Sequence, residues 1–399
     1  MRKQILAGPG ARAKGLLLII LSILLVWRML AQTQTAEIPV DDFVAYWTAI
    51  QLQLQEVNPY SPDRVLALER SAGMEGDEPL VMMNPPWTIA FLLPFGVLNY
   101  PAGRVVWLIL GLGLTVFSAR GIWIVYDGPG SSQWVALALA FCFVPLLISL
   151  ALGQITPLIL AGIAGFLYFQ RSHPVLSGSF LVLLSLKPHL FYLLWVALFL
   201  WILQQRRWRI FIGAVAGWTA ALAVAMIWNP AVVAQYIEVT RNQPPVLHWR
   251  TPTYGTLLRA SFGMEYSWLQ FVPMIAGLAW LLYYRQSRRS KWDWKSEMPL
   301  LILVSLTTTS YVWFYDQMVI LPAILQVAVA KFAHAETHER RPALAVFAVM
   351  NLILVVFVIL KLPPLYYQWS FTAWLVWYLL YDRKRHSLPQ SALVGENGT

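Results

Sequence analysis

Apolar residues dominate this chain in long runs broken by short polar stretches. A spanning helix needs about 20 mostly apolar residues, with about 17 as a lower limit. Candidate stretches centre on residues 15–31, 105–125, 132–151, 155–170, 174–187, 188–204, 210–228, 269–284, 298–312, 317–333, 343–361 and 365–381. A shorter stretch, 86–98, carries Pro94. If it also crossed, the basic C-terminal run DRKRHS would lie opposite the basic N-terminus. About twelve crossings place both ends on one side, so 86–98 is expected to be re-entrant or interfacial. The pattern predicts an all-α, polytopic helical membrane protein, with residues 1–385 as one transmembrane domain and 386–399 as a disordered tail.

Composition agrees with the pattern. The 399 residues are 58% hydrophobic and only 12% charged. A soluble domain carries about 25% charged residues, so most of this surface must face lipid. The net charge of +10 raises the question of nucleic acid. The basic residues instead fall in short clusters between hydrophobic runs, at Arg206-Arg207-Trp208-Arg209, Arg285 to Lys291 and Arg383-Lys384-Arg385. That is the distribution of cytoplasmic loops, and no nucleic-acid partner is expected. The start, MRKQILAGPGARAKGLLLIILSILLVW, has a basic region and then an apolar run, with Arg28 where a small-residue cleavage site would follow. It reads as an uncleaved signal-anchor. Cys142 stands alone, so no internal disulfide can form.

Placing the basic clusters inside puts two long polar loops outside, 32–85 and 229–268. The first carries Glu37, Asp41, Asp42, Glu56, Asp63, Glu69, Glu75, Asp77 and Glu78 against Arg64 and Arg70. The same topology brings Asp41, Asp42, Gln154, Lys187, His189, Tyr311, Tyr315 and Asp316 to the external ends of helices. Ionisable groups cost about 2.5–3.5 kcal/mol each at the centre of a membrane helix, so a cluster at one level implies a wet cavity.

Each polar motif has a plain reading beside a functional one. DDFVAYWTAIQLQLQE, at 41–56, has helical spacing at Phe43, Val44, Trp47, Ile50 and Leu54 and reads as a helix in the interface. Its two Asp residues can cap that helix, or one can serve as a general base in a half-dry site. Pro85-Pro86 starts a helix or turns a corner beside a cleft. Gln154, after Gly153, can cap, bond across helices or meet a polar headgroup. Lys187, before Pro188, can snorkel or meet a lipid-linked phosphate. His189 has no second ligand at metal spacing, and no metal or cofactor is expected. The loop at 239–255 carries Arg241, His248 and Arg250 with no acid, which suits an anionic headgroup or an ordinary exposed loop. Asp316, between Tyr315 and Gln317 at the head of an apolar run, can cap, pair with Lys187 or an Arg, or bind substrate. No Walker loop, dinucleotide fingerprint, serine elbow or Cys/His metal pattern is present. Any glycosyl donor would therefore come from within the membrane.

The order of these motifs resembles the GT-C superfamily of membrane glycosyltransferases, and within it glycosyltransferase family 87, the polyprenyl-phosphate-mannose-dependent α-1,2-mannosyltransferase-like enzymes. The resemblance runs from about residue 40 to about residue 330 and rests on Asp42, Tyr46 and Asn58-Pro59-Tyr60, on Pro85-Pro86, Gly153-Gln154 and Lys187-Pro188, and on Ser310 to Asp316. Asn84 stands where the family often has Tyr, and Asp316 where it often has His. The resemblance implies a GT-C-like fold in the plasma membrane with its active site on the external face. It implies a polyprenyl-phosphate-linked sugar donor, typically mannose, and a hydroxyl acceptor on a glycan, glycolipid or protein. It implies metal-independent, inverting transfer with Asp42 as the catalytic base. Asp41, Tyr46, Asn58, Tyr60, Gln154, Lys187, His189, His248, Arg250, Tyr311 and Asp316 are the expected substrate-binding residues. A lipid or solute transporter, or a non-catalytic subunit of a polysaccharide system, is the alternative. A transporter is expected to show inverted repeats, and the 41–60 segment has no counterpart in the second half.

Overall fold

The computed structural model describes residues 41–288, 292–334 and 337–381. The expected signal-anchor and the expected C-terminal tail lie outside the described residues. All regular structure among the described residues is helical.

Helix Tyr100–Val125 sets the scale of the molecule. Its 26 residues extend about 39 Å at 1.5 Å per residue, enough to cross a hydrocarbon core of about 30 Å. Each end is tied to a different set of polar residues. At the start, the Tyr100 hydroxyl accepts from the Asp41 N–H at 3.3 Å. Just past the finish, Asp127 pairs with Lys295 at 2.5 Å. The second end also carries the Arg171–Asp293 and Arg288–Glu297 pairs, and Arg285 donates there to Gln204 at 2.8 Å. The first is the acidic end and the second the basic end.

Among the described residues five helices are long and apolar enough to cross a membrane: Tyr100–Val125, Pro188–Gln205, Trp208–Trp228, Phe314–Lys331 and Arg341–Ile359. A sixth is formed if Gly130–Phe141 and Val144–Ala151, bent by 64° at their junction, count as one span. Pro145 has no N–H to carry the first helix through this break, and the Val144 N–H, at the start of the second, donates to the Asn351 side-chain oxygen at 2.8 Å. Irregular backbone at membrane depth needs that kind of rescue. The remaining expected segments are carried by shorter helices, among them Thr156–Phe169 and Pro174–Leu184.

The spans differ in what surrounds them. Trp208–Trp228 and Arg341–Ile359 are each 28% buried, with Ile212, Ile227, Val349 and Leu352 facing outward as a lipid-facing surface would. Phe314–Lys331 is 89% buried, and so forms the centre of the bundle. Asp316 heads this central helix.

The acidic end differs from expectation in its first helix. Helix Phe43–Leu54 does not lie along a surface. Nine of its twelve residues are buried, and the fully buried Gln53 donates to the Ala225 carbonyl at 2.6 Å. With apolar side chains all round, such a helix sinks into protein. Segment Pro86–Val97, expected to be re-entrant or interfacial, breaks into three short turns, each too short to cross. It stays at the acidic end, where Gln51 donates to the Gly96 carbonyl at 2.9 Å and Trp47 to the Leu98 carbonyl at 3.0 Å.

Candidate active site

The two adjacent aspartates of Asp41-Asp42 have separate tasks. Asp41 is the cap. Its Oδ1 accepts from the Phe43 N–H at 3.0 Å, and its Oδ2 accepts from Arg104 Nε at 2.6 Å. Arg104 also donates to the Ala151 carbonyl at 2.6 Å, binding the end of helix Val144–Ala151 to the start of Phe43–Leu54. Both side chains of the ion pair are about 5% exposed. Removing one partner of a buried pair strands the other charge. Arg104→Met is accordingly expected to cost about 3–5 kcal/mol, read as a fall in the thermal midpoint of the purified protein.

Asp42 occupies the N-cap position of the same helix, yet its side chain makes no capping bond. Instead its Oδ2 accepts from Gln154 Nε2. Gln154 is placed by the end of the preceding helix. Gly153 takes φ +67°, its N–H bonds the Leu150 carbonyl, and the Gln154 N–H bonds the Ser149 carbonyl at 2.9 Å. This is a Schellman stop, which wants glycine at the left-handed position. A Cβ there would also come within 2.7 Å of Phe43 Cβ and 3.2 Å of Asp41 Oδ1. The Gly-Gln pair is thus a turn that presses against the aspartates and presents the carboxamide to Asp42.

The carboxamide passes the contact on. Lys187 Nζ donates to Gln154 Oε1 at 2.7 Å and to Asp316 Oδ1 at 2.7 Å. Lys187 is extended (φ −135°, ψ 74°) because the following Pro188 disfavours the helical region. It sits at the break between Leu181–Leu184 and the next helix. Asp316 uses its second oxygen to accept from the Trp313 N–H at 3.0 Å, capping its own helical turn while it holds the lysine. The chain Asp42–Gln154–Lys187–Asp316 joins four elements well separated in sequence, and Lys187 also lies 5.5 Å from the Tyr315 ring centroid.

Electrostatics single out Asp42 within this chain. Burial, reinforced by the negative charge of Asp41, pushes its carboxyl up to about 6, against the pull of Lys187 and Gln154. A carboxylate with that affinity for protons is a better base than an ordinary aspartate.

Other expected residues sort into those that line this site and those that brace it. Tyr46 is buried beside Trp107, with ring centroids 6.1 Å apart. Tyr311 meets the His189 ring at 5.2 Å. His189 Nε2 is buried without a hydrogen-bond partner, an orphaned polar atom next to Lys187. Asn58 and Tyr60 are braces. Asn58 Oδ1 accepts from the Tyr60 N–H at 2.9 Å, and the Tyr60 ring packs on Tyr236 at 5.6 Å. His248 and Arg250 are exposed on the 229–268 loop and belong to no part of the polar chain. Among the described residues no group of three or more His, Cys, Asp or Glu is arranged to hold a metal ion.

Arg104 and Gln270 escaped the sequence reading, and Asn84 was noted there only as a departure from the family pattern. Arg104 sits four residues into a long apolar helix, and that position among aliphatic neighbours was the available signal. Asn84 donates to the Leu186 carbonyl at 2.8 Å and so ties the Pro-Pro corner to the residue before Lys187. Gln270, fully buried, donates to the Ser310 carbonyl at 2.6 Å; nothing in its local sequence marks it.

No curated protein and no solved structure matches the chain. A family model does, and it spans residues 83–357, more than half of the chain. The matched residues include Gln154, Lys187 and Asp316, whereas Asp41 and Asp42 precede them and join through the bonds to Arg104 and Gln154. The order of motifs, the helical bundle and the match over residues 83–357 agree, and the chain belongs to glycosyltransferase family 87.

Proposed function

We propose that this glycosyltransferase moves a sugar, mannose in the first instance, from a polyprenyl-phosphate donor to a hydroxyl on a glycan, glycolipid or protein. The observation that carries the reading is the buried chain Asp42–Gln154–Lys187–Asp316, which gathers a base and a cation at one end of the bundle. The basic clusters at Arg206 to Arg209 and Arg285 to Arg288 belong to the opposite end, which by the positive-inside rule supports a cytoplasmic position for that end and an external one for the site, in the plasma membrane on this reading. About twelve membrane segments in all fit this arrangement, counting the short helices and the N-terminal anchor. Family membership leaves no reason to prefer the transporter or the non-catalytic subunit.

The chemistry runs as a single displacement. The acceptor oxygen attacks the anomeric carbon as Asp42 takes its proton. The bond from that carbon to the phosphate oxygen breaks, and its electron pair leaves with the lipid phosphate. The Lys187 ammonium stabilises the charge that develops there. Attack from the opposite face inverts the centre, so a β-linked donor yields an α-linked product. His189 Nε2 and Tyr311 are available to the sugar hydroxyls, and nothing in the residues calls for a metal. The test is transfer by the purified protein from a panel of radiolabelled polyprenyl-phosphate sugars. Mannose transfer from the lipid phosphate is expected. Turnover only with a nucleotide sugar would overturn the donor assignment.

A further inference from the structure

The loop between Trp228 and the 3-10 turn Ser267–Phe271 carries an aromatic feature that the polar chain does not use. Trp249 is 37% exposed, and its ring lies 6.2 Å from that of Trp313. Trp313 is half-buried and leads inward. It stacks on Tyr315 with ring planes 9° apart, and its indole N–H donates to the Tyr311 hydroxyl at 2.9 Å. The Trp313 backbone N–H is the one held by Asp316. Tyr311 in turn packs on His189 and lies within the field of both Asp42 and Asp316. An unbroken run of rings therefore leads from the surface at Trp249 to the centre of the site.

The mount of this loop is rigid. Gln270 Nε2 lies within hydrogen-bond distance of the Ser310 carbonyl (2.6 Å), Thr253 Oγ1 (3.0 Å) and Thr256 Oγ1 (3.2 Å). These acceptors bracket the two indoles, since Ser310 is three residues before Trp313 and Thr253 four after Trp249. Gly255 allows the approach, because a Cβ there would lie 2.4 Å from the Gln270 carbonyl oxygen. Two backbone segments distant in sequence are thus locked together where both present a tryptophan.

We infer that Trp249 and Trp313 form the acceptor subsite, which binds a pyranose ring of the acceptor glycan by stacking its C–H face on the indoles. The inference rests on the proposed transfer at Asp42 and adds which part of the protein takes the acceptor. An indole face is electron-rich and apolar, and the C–H groups on one face of a pyranose are its complement. Exposed surface at Trp249 is paid for if a sugar covers it. The loop then takes the acceptor, while Lys187 takes the phosphate of the donor.

Saturation-transfer NMR on the full chain in lipid nanodiscs tests this with four methyl pyranosides: α-mannoside, β-glucoside, β-galactoside and α-rhamnoside. The wild type is expected to transfer saturation to the ring protons of at least one of them. Trp249→Leu keeps the apolar character that a membrane anchor would need and loses the π face, and should weaken the signal about fivefold or more. Trp249→Tyr should keep it. Asp42→Asn should bind as the wild type does, so failure of the catalytic base and failure of the subsite give different results. Equal signals in wild type and Trp249→Leu would mean that the indole only seats the loop in lipid. That result, or silence with all four sugars, would overturn the subsite.

Discussion

Asp42→Asn is expected to lower the rate of sugar transfer about a thousandfold or more while leaving the protein folded. The substitution keeps an oxygen that can accept from Gln154, and leaves the Asp41–Arg104 pair untouched. What it removes is the ability to take a proton from the acceptor hydroxyl. The wild-type pH profile carries the same information. Asp42 works only when deprotonated, and burial holds its carboxyl near about 6. Activity is therefore expected to rise through about pH 6 and level off above it, the mark of an essential base in kcat/KM. Asp41→Asn should behave differently, losing stability because it strands Arg104 in a buried place. Full activity in Asp42→Asn would sink the base assignment. A folded but dead Asp41→Asn with an active Asp42→Asn would move it one residue along the chain.

How far the site could be read in advance follows from what each residue contacts. Gln154, Lys187 and Asp316 were legible because polar groups at the ends of apolar runs need a reason, and topology put all three at one level. The Lys187–Asp316 pair was among the alternatives read from the sequence, but that Lys187 would also bond to Gln154, 33 residues away, was not legible. The resemblance assigned Asp42 as base, but what holds Asp41 and Asp42 in separate roles was closed to sequence. It depends on Arg104 reaching across from a helix 63 residues away and on the left-handed turn at Gly153. The Phe43–Leu54 helix was read as interfacial from the helical spacing of Phe43, Val44, Trp47, Ile50 and Leu54. In the fold Gln51 and Gln53 bond to backbone carbonyls of neighbouring segments, and the polar face is internal. Length was the weakest guide to crossings. The apolar run at 155–170 folds close to its expected bounds, yet helix Thr156–Phe169 has only 14 residues and falls short of a full crossing.

Lys187 and Asp316 offer the second large effect, because the same pair of substitutions should move the pH profile in opposite directions. Lys187→Gln removes the cation proposed to meet the leaving phosphate, and a loss of about a hundredfold to a thousandfold in kcat is expected. It also removes a positive charge that favours the ionised form of Asp42. With burial and the charges of Asp41 and Asp316 no longer opposed by that ammonium, Asp42 should hold its proton more tightly, and the acid limb should shift above pH 6. Asp316→Asn removes a negative charge that opposes ionisation of Asp42. Its acid limb should shift below pH 6, while kcat falls less, because Gln154 still holds the lysine. A residue that merely propped up the fold would lower activity without moving the limb in either direction. Profiles of both variants that keep the wild-type midpoint would show that Asp42 does not sense this ion pair during turnover, and the base would have to be sought elsewhere. Opposite shifts would place Asp42, Lys187 and Asp316 in one electrostatic unit, with the lysine setting both the strength of the base and the stability of the leaving group.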